Sequence, residues 1–274
     1  NRTGRTQVNR VTKLGRRVLT VSRIEDITPG YRRIYLSGED LNEGFPYVHL
    51  AVSDHVKVLF PPTGSREVSI PERGPNGWIL PEGTQPPVMR DYTVRRWLPD
   101  TREVVFDFVV HDHGVAGRWA RQARVGDQLG VLGPRGNVIF PENYAHYVLI
   151  GDETALPSIQ RFIEELPAEA TIDVLVQAAN AAEIQYLGGR PGLNVTWLDR
   201  SKAATSSLVA AVQDLTLPAG DDWFVFAAGE VGDLKPVRDW FRIDRGLPKE
   251  RVMVSGYWQK GVNDFDHHNT GIED

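Results

Sequence analysis

The stretch YVLIGDETALPSIQRFIEEL, residues 147–166, decides how the chain is built. Tyr147–Ile150 is a continuous apolar run, the pattern of a strand buried on both faces. Past the turn through Gly151 and Asp152, Leu156, Ile159, Ile163 and Leu166 recur at helical spacing. Thr154 reads as the cap of that helix, and Pro157 is tolerated in a first turn. The segments TIDVLVQAA, NVTWLD, SSLVAAVQDL, DWFVFAAG, LKPVRDWFRI and RVMVSGYW continue the alternation of strand and helix. Such alternation predicts an α/β domain with a parallel sheet and crossover helices over residues 144–262.

Upstream the rhythm is different. RVLTVSRI, RRIYLSG, HVKVLF, EVVFDFVVH and QLGVLGP are short strands separated by Gly, Pro and Asn clusters. In EVVFDFVVH, Val104, Phe106, Phe108 and Val110 share one face, and Val105, Asp107, Val109 and His111 the other. This half, residues 16–143, predicts an antiparallel β-barrel interrupted at 62–88 by a Pro- and Gly-rich hairpin or loop. Residues 1–15 read as a basic, flexible arm. Residues 263–274 read as a polar tail in which His267 and His268 are solvated.

Composition bounds the function. The 274 residues are 41% hydrophobic and 24% charged, with no cysteine. That excludes disulfides, thiol catalysis and cysteine-ligated zinc or iron–sulfur centres. Seven of 31 basic residues precede Glu25, the first acid, leaving 24 against 36 acids in the body. The basic arm lacks aromatic interleaving and a recognition helix, so no nucleic-acid partner is expected. No apolar run suits a membrane span or a secretory signal, and a cytoplasmic location without membrane insertion is expected.

Two segments carry candidate chemistry. In MRDYTVR, strand alternation projects Arg90 and Tyr92 to one face and Thr93 to the other. A guanidinium, a flat ring and a hydroxyl suit a ligand with a diphosphate and a planar ring system, although an ordinary edge strand has the same look. In HDHGVAGRWARQ, Gly114 and Gly117 bracket a helix start where backbone N–H groups can approach phosphate oxygens. His111 and His113 have no third or fourth ligand at metal-site spacing, and Trp119 is most simply a core aromatic.

HVKVLFP, MRDYTVR, HDHGVAGRWA, GDETALPSI, AAGE and GYWQKG, in that order over about residues 16–262, resemble the siderophore-interacting protein family, flavin-dependent ferric-siderophore reductases within the ferredoxin–NADP reductase superfamily. The resemblance implies an FAD-binding barrel followed by a nicotinamide-binding α/β domain. It implies that Arg90 contacts the FAD diphosphate, Tyr92 lies against the isoalloxazine and Thr93 bonds the flavin near N5. His111 and His113 would lead into a phosphate loop made by Gly114, Val115, Ala116 and Gly117, with Trp119 toward the adenine. Arg118 departs from the small residue usual after Gly117. Lys57 and Lys260 match a basic cluster that attracts the ferric siderophore, and Arg135 is a third candidate from its loop position alone.

The α/β half contains no G-x-G-x-x-G fingerprint. Asp152 and Glu153 would repel a phosphate, so their turn, with Thr154 and Ala155, is expected to meet the nicotinamide and the flavin edge. Arg200 and Lys202 are the best cations for NADPH phosphates, with a solvent-facing loop as the equal alternative. Gly229 and Glu230 resemble the superfamily's second nicotinamide-side turn, and Tyr257 and Trp258 either cover the flavin or belong to the core. No catalytic acid–base pair is expected, because a flavin converts a two-electron donor, NADPH or NADH, into single electrons for Fe(III). Reduced ferredoxin is a further possible donor. The alternatives are a general ferredoxin or flavodoxin reductase and a siderophore-binding flavoprotein without turnover.

Overall fold

Alternating strands of the first half assemble into one antiparallel sheet, and the strand–helix alternation of the second into a parallel one. The structure, a computed structural model, describes residues 4–10, 14–75, 77–112, 114–202, 207–262 and 272. His113, His267 and His268 therefore lie outside the described residues. The chain divides into two compact units, Val8–Ile139 and Phe140–Asp274 with Asn1–Gln7.

The strands of the first unit are, in chain order, β1 (Gln7–Arg10), β2 (Arg16–Thr28), β3 (Tyr31–Ser37), β4 (His55–Phe60), β5 (Glu72–Gly74), β6 (Gly77–Ile79), β7 (Val88–Thr93), β8 (Arg96–Leu98) and β9 (Glu103–Val109). Helix α1 (Val115–Gln122), β10 (Gln128–Leu132) and β11 (Gly136–Ile139) complete it. Seven strands form one sheet in the order β7-β4-β10-β2-β3-β9-β8. Its neighbours are antiparallel throughout. The order begins at β7 and ends at β8, which only Val94 and Arg95 separate in the chain, so the sheet curls round into a half-barrel.

Val104, Phe106 and Phe108 join Leu19, Val21 and Ile34 in its core. On the opposite face of β9, buried Asp107 accepts from Arg33 at 2.7 and 2.8 Å. Burying that carboxylate is tolerable because a bidentate guanidinium satisfies it. The Pro-rich insertion forms the small β5–β6 hairpin. Val68 and Ile70, which precede it, pack on Leu59 and Leu132 and so cover the sheet's second face. Part of the arm read as unstructured is ordered, since β1 pairs with β11.

The second unit contains β12 (His146–Asp152), α2 (Leu156–Glu165), β13 (Thr171–Ala178), β14 (Leu193–Asp199), α3 (Leu208–Gln213), β15 (Trp223–Glu230), α4 (Val231–Asp239) and β16 (Val252–Trp258). Its five-stranded sheet runs β14-β13-β12-β15-β16 and is parallel throughout. β12 lies at the centre, and the chain builds outward first to β13 and β14, then to β15 and β16. Strand order therefore reverses between β12 and β15, the position where open α/β sheets leave a crevice beyond their strand ends. The described residue of the polar tail departs from its expected solvation. Ile272 is fully buried in the α/β core and its carbonyl accepts from Arg238 at 3.4 Å.

Candidate functional site

The first candidate site lies on edge strand β7. Its register with β4 pairs Arg90 with Val58, Asp91 with Lys57, Tyr92 with Val56 and Thr93 with His55. Val56 and Val58 belong to the half-barrel core. Arg90 and Tyr92 thus face the core side, and Thr93 projects to the other, as alternation predicts. Tyr92 is half-buried, its ring centroid 4.4 Å from Phe108 and 6.2 Å from Phe60. Burial pushes its phenol above the ordinary tyrosine value, so the hydroxyl stays protonated. Arg90 is half-buried and donates to the Met89 carbonyl at 2.7 Å. The half-buried Thr93 hydroxyl has no hydrogen-bond partner among the described residues.

On Thr93's face the neighbouring rung holds an ion pair. Lys57 Nζ donates to Asp91 Oδ2 at 2.6 Å. Lys57, read from the sequence as a substrate cation, therefore carries its own counter-ion. Arg135 is exposed in the loop between β10 and β11.

Helix α1 stands beside this strand through a shared neighbour. The Trp119 indole lies 5.6 Å from both Phe60 and Phe108, the rings that also contact Tyr92. Trp119 is thus part of the aromatic core. The eight-residue helix starts at Val115 after Gly114, whose φ is 77°, with no side chain capping its first turn and no acid within it. At Gly117 an added Cβ would lie 2.8 Å from the His111 ring and carbonyl, so the loop closes only around a glycine. Ala116 is buried, Val115 half-buried and Arg118 exposed. Uncapped N–H groups at a helix start favour an anion. With the Arg90 guanidinium, the half-exposed Tyr92 ring and the unpartnered Thr93 hydroxyl, the residues present fit a flavin dinucleotide.

The second candidate site lies at the strand ends flanking the β12/β15 switch point. Asp152, at the end of β12, is buried. Its Oδ1 accepts from Thr154 N at 2.8 Å and Thr154 Oγ1 at 2.5 Å. Its Oδ2 accepts from Glu230 N at 2.9 Å and Trp258 Nε1 at 2.8 Å. Desolvation raises the Asp152 pKa despite these donors. Gly229 permits the approach, because a Cβ there would meet the carboxylate at 2.6 Å. Glu230 in turn accepts from Asp233 N at 2.9 Å and Lys260 N at 3.0 Å. Burial and Glu230 together raise the Asp233 pKa.

Several expectations change here. Thr154 does not cap α2; Asp152 caps the short turn Glu153–Ala155, and the Thr154 hydroxyl serves Asp152. Ala155 is fully buried and tight against Gly151, so its side chain offers a flavin no surface. Arg200 is engaged by Glu153 at 2.6 Å, and Glu153 also accepts from Ala179 N at 2.6 Å. A phosphate would have to displace that acid from Arg200. Lys202 lies on the following turn, Arg200–Lys202. The Tyr257 hydroxyl is bonded to Ser158 Oγ at 2.8 Å. Asp91 and Asp233 escaped the sequence reading. Asp91 shares Thr93's face by simple alternation, and Asp233 falls three residues after Glu230 in a helix start.

Family comparisons cover both units. A model described as the siderophore-interacting FAD-binding domain matches residues 20–138, and one described as siderophore-interacting protein matches residues 144–261. An NADPH-dependent ferric-chelate reductase of Escherichia coli is 37% identical over 247 residues, 88% of this chain and 92% of the relative. A ferric vibriobactin reductase of Vibrio cholerae is 30% identical over 263 residues, 95% of each chain. The crystal structure of a siderophore utilization protein from T. fusca superposes with a TM-score of 0.84 at 41% identity, covering 96% of this chain and 99% of that one.

Proposed function

Because this chain belongs to the siderophore-interacting protein family and carries its FAD-binding domain, we propose that it is a ferric-chelate reductase that takes electrons from NADPH and delivers them to an Fe(III)-siderophore. The observation that carries this reading is the β7 edge. There a guanidinium and a half-buried phenol ring share one face, an unpartnered hydroxyl occupies the other, and the uncapped helix α1 packs its Trp119 on the same rings as Tyr92.

Arg90 and the α1 N-terminus would hold the FAD diphosphate, the guanidinium by charge-assisted hydrogen bonds and the helix by first-turn N–H groups that no side chain caps. Tyr92, steadied by Phe108 behind it, gives the ring system a flat wall, and the Thr93 hydroxyl supplies a hydrogen bond at the ring edge. Gly114 and Gly117 let the backbone come close, and His111 packs beneath Gly117 to fix the loop. Bound there, FAD supplies the conversion of a hydride's two electrons into the single electrons that Fe(III) accepts.

At the α/β strand ends, Asp152 fixes Trp258 and the backbone of Glu230, so the walls of the switch-point crevice are set before a nicotinamide enters. In the first unit, Lys57 with its counter-ion Asp91 and the exposed Arg135 are the charged groups offered to the chelate, in an otherwise acidic protein. Hydroxamate and catecholate oxygens hold Fe(III) far more strongly than Fe(II), so one electron loosens the metal without any bond being broken by the protein. Among the described residues no helix is long and apolar enough to cross a membrane.

The test is anaerobic. FAD-loaded protein, NADPH and a ferric siderophore are mixed with an Fe(II)-trapping dye, and Fe(II) is expected to appear with NADPH consumption. Protein that reduces a dye acceptor but no ferric chelate is a general reductase, and protein that binds the chelate without oxidising NADPH, NADH or ferredoxin is a carrier.

A further inference from the structure

We infer that Asp91 sets the charge class of the iron chelate, favouring complexes of low net charge, such as uncharged tris-hydroxamates, over trianionic tris-catecholates; this rests on the reading of Lys57 as a substrate cation. Asp91 lies between Arg90 and Tyr92 in sequence, and alternation turns it to the face of Thr93. The register sets it opposite Lys57, the next pair on that face after His55–Thr93, and the two charged groups meet at 2.6 Å. Both are within reach of a surface ligand, with side-chain exposures of 38% for Lys57 and 21% for Asp91.

A lone ammonium attracts a trivalent anion, whereas a lysine already holding a carboxylate presents a dipole of no net charge. The rest of the rung does not restore the balance. Across the sheet Lys57 is followed by Leu132 and then Arg16. Arg16 has Glu72 at 4.0 Å and also donates to the Ile70 carbonyl. Asp91, Lys57, Arg16 and Glu72 therefore cancel. Arg135, exposed and without an ion pair among the described residues, lies in the loop after Leu132, where Arg17 also donates to the Gly133 carbonyl at 2.8 Å. With Lys57 and Arg16 each facing an acid, the net positive charge of this face is small, which suits a neutral or weakly anionic chelate.

The experiment uses Ga(III) complexes, which match the Fe(III) chelates in charge and shape but accept no electron. Calorimetry on the FAD-loaded protein gives the affinity for a Ga(III) tris-catecholate and a Ga(III) tris-hydroxamate. Wild type is expected to prefer the tris-hydroxamate. Asp91→Asn, which keeps the hydrogen-bond acceptor and removes the charge, should shift the ratio of affinities toward the trianion by roughly three- to tenfold, the effect of one charge on a trivalent anion at about 7 Å in screened water. Asp91→Glu should restore the wild-type ratio. An unchanged ratio in Asp91→Asn, or a wild type that already prefers the trianion, overturns the inference. Should Asp91→Asn not fold, the salt dependence of wild type decides. Trianion affinity nearly flat with ionic strength supports a compensated Lys57, and a steep loss contradicts it. A shifted ratio with no Fe(III) reduction by any donor would overturn the proposed function and leave the charge selection standing.

Discussion

The β7 edge and the β12/β15 strand ends handle polar groups in opposite ways. On β7 the side chains lie along a strand, Arg90 and Tyr92 to one face and Thr93 to the other, with the Thr93 hydroxyl unpartnered among the described residues. At the strand ends of the parallel sheet, Asp152 accepts from Thr154, Glu230 and Trp258, and Glu230 accepts in its turn from Asp233 and Lys260. An antiparallel edge presents side chains already directed by the pleat, so it can leave them open for a ligand. Parallel strand ends bring backbone N–H groups from several segments to one place, and a buried carboxylate must join them. One region leaves a hydroxyl open, and the other uses its polar groups to hold its own walls.

The largest expected effect tests the closed region. Asp152→Ala leaves buried N–H donors of Glu230 and Trp258 without an acceptor and should cost about 3–5 kcal/mol of unfolding free energy in urea. The matched change on the open edge, Thr93→Val, should cost under about 0.5 kcal/mol. Equal losses would erase the contrast. Next comes the tail. Ile272→Ala removes a fully buried side chain and should cost about 2–4 kcal/mol, whereas Ile243→Ala, on a side chain 73% exposed, should change stability by less than about 0.5 kcal/mol.

The smallest effect concerns pH. The folded-state pKa of Asp152 lies above its unfolded value, so folding binds a proton in the window between the two. Wild type should lose stability relative to Asp152→Asn as pH rises from the ordinary carboxylate range through that raised value, and the difference should level off above it. A difference that grows as pH falls would mean that the donors around Asp152 outweigh its burial.

Much of this arrangement could be read from local pattern. The period-two faces of EVVFDFVVH placed Phe106 and Phe108 inward and Asp107 outward, and the same rule separated Arg90 and Tyr92 from Thr93. The apolar run Tyr147–Ile150 followed by helical spacing identified a parallel sheet with crossovers. What escaped depends on partners distant in sequence. Lys57 and Asp91 are 34 residues apart across a Pro-rich insertion, and only strand register joins them. Arg200 finds Glu153 from a different strand end, and Ile272 enters the α/β core from a segment whose composition signals solvation.

Titration of FAD into FAD-free wild type and Arg90→Ala tests most directly whether the β7 edge is the flavin site. Loss of charged hydrogen bonds to a diphosphate should weaken binding by about 1.5–3 kcal/mol, tenfold or more, while the melting of the FAD-free protein stays unchanged. FAD binding of equal strength in both proteins would contradict the assignment.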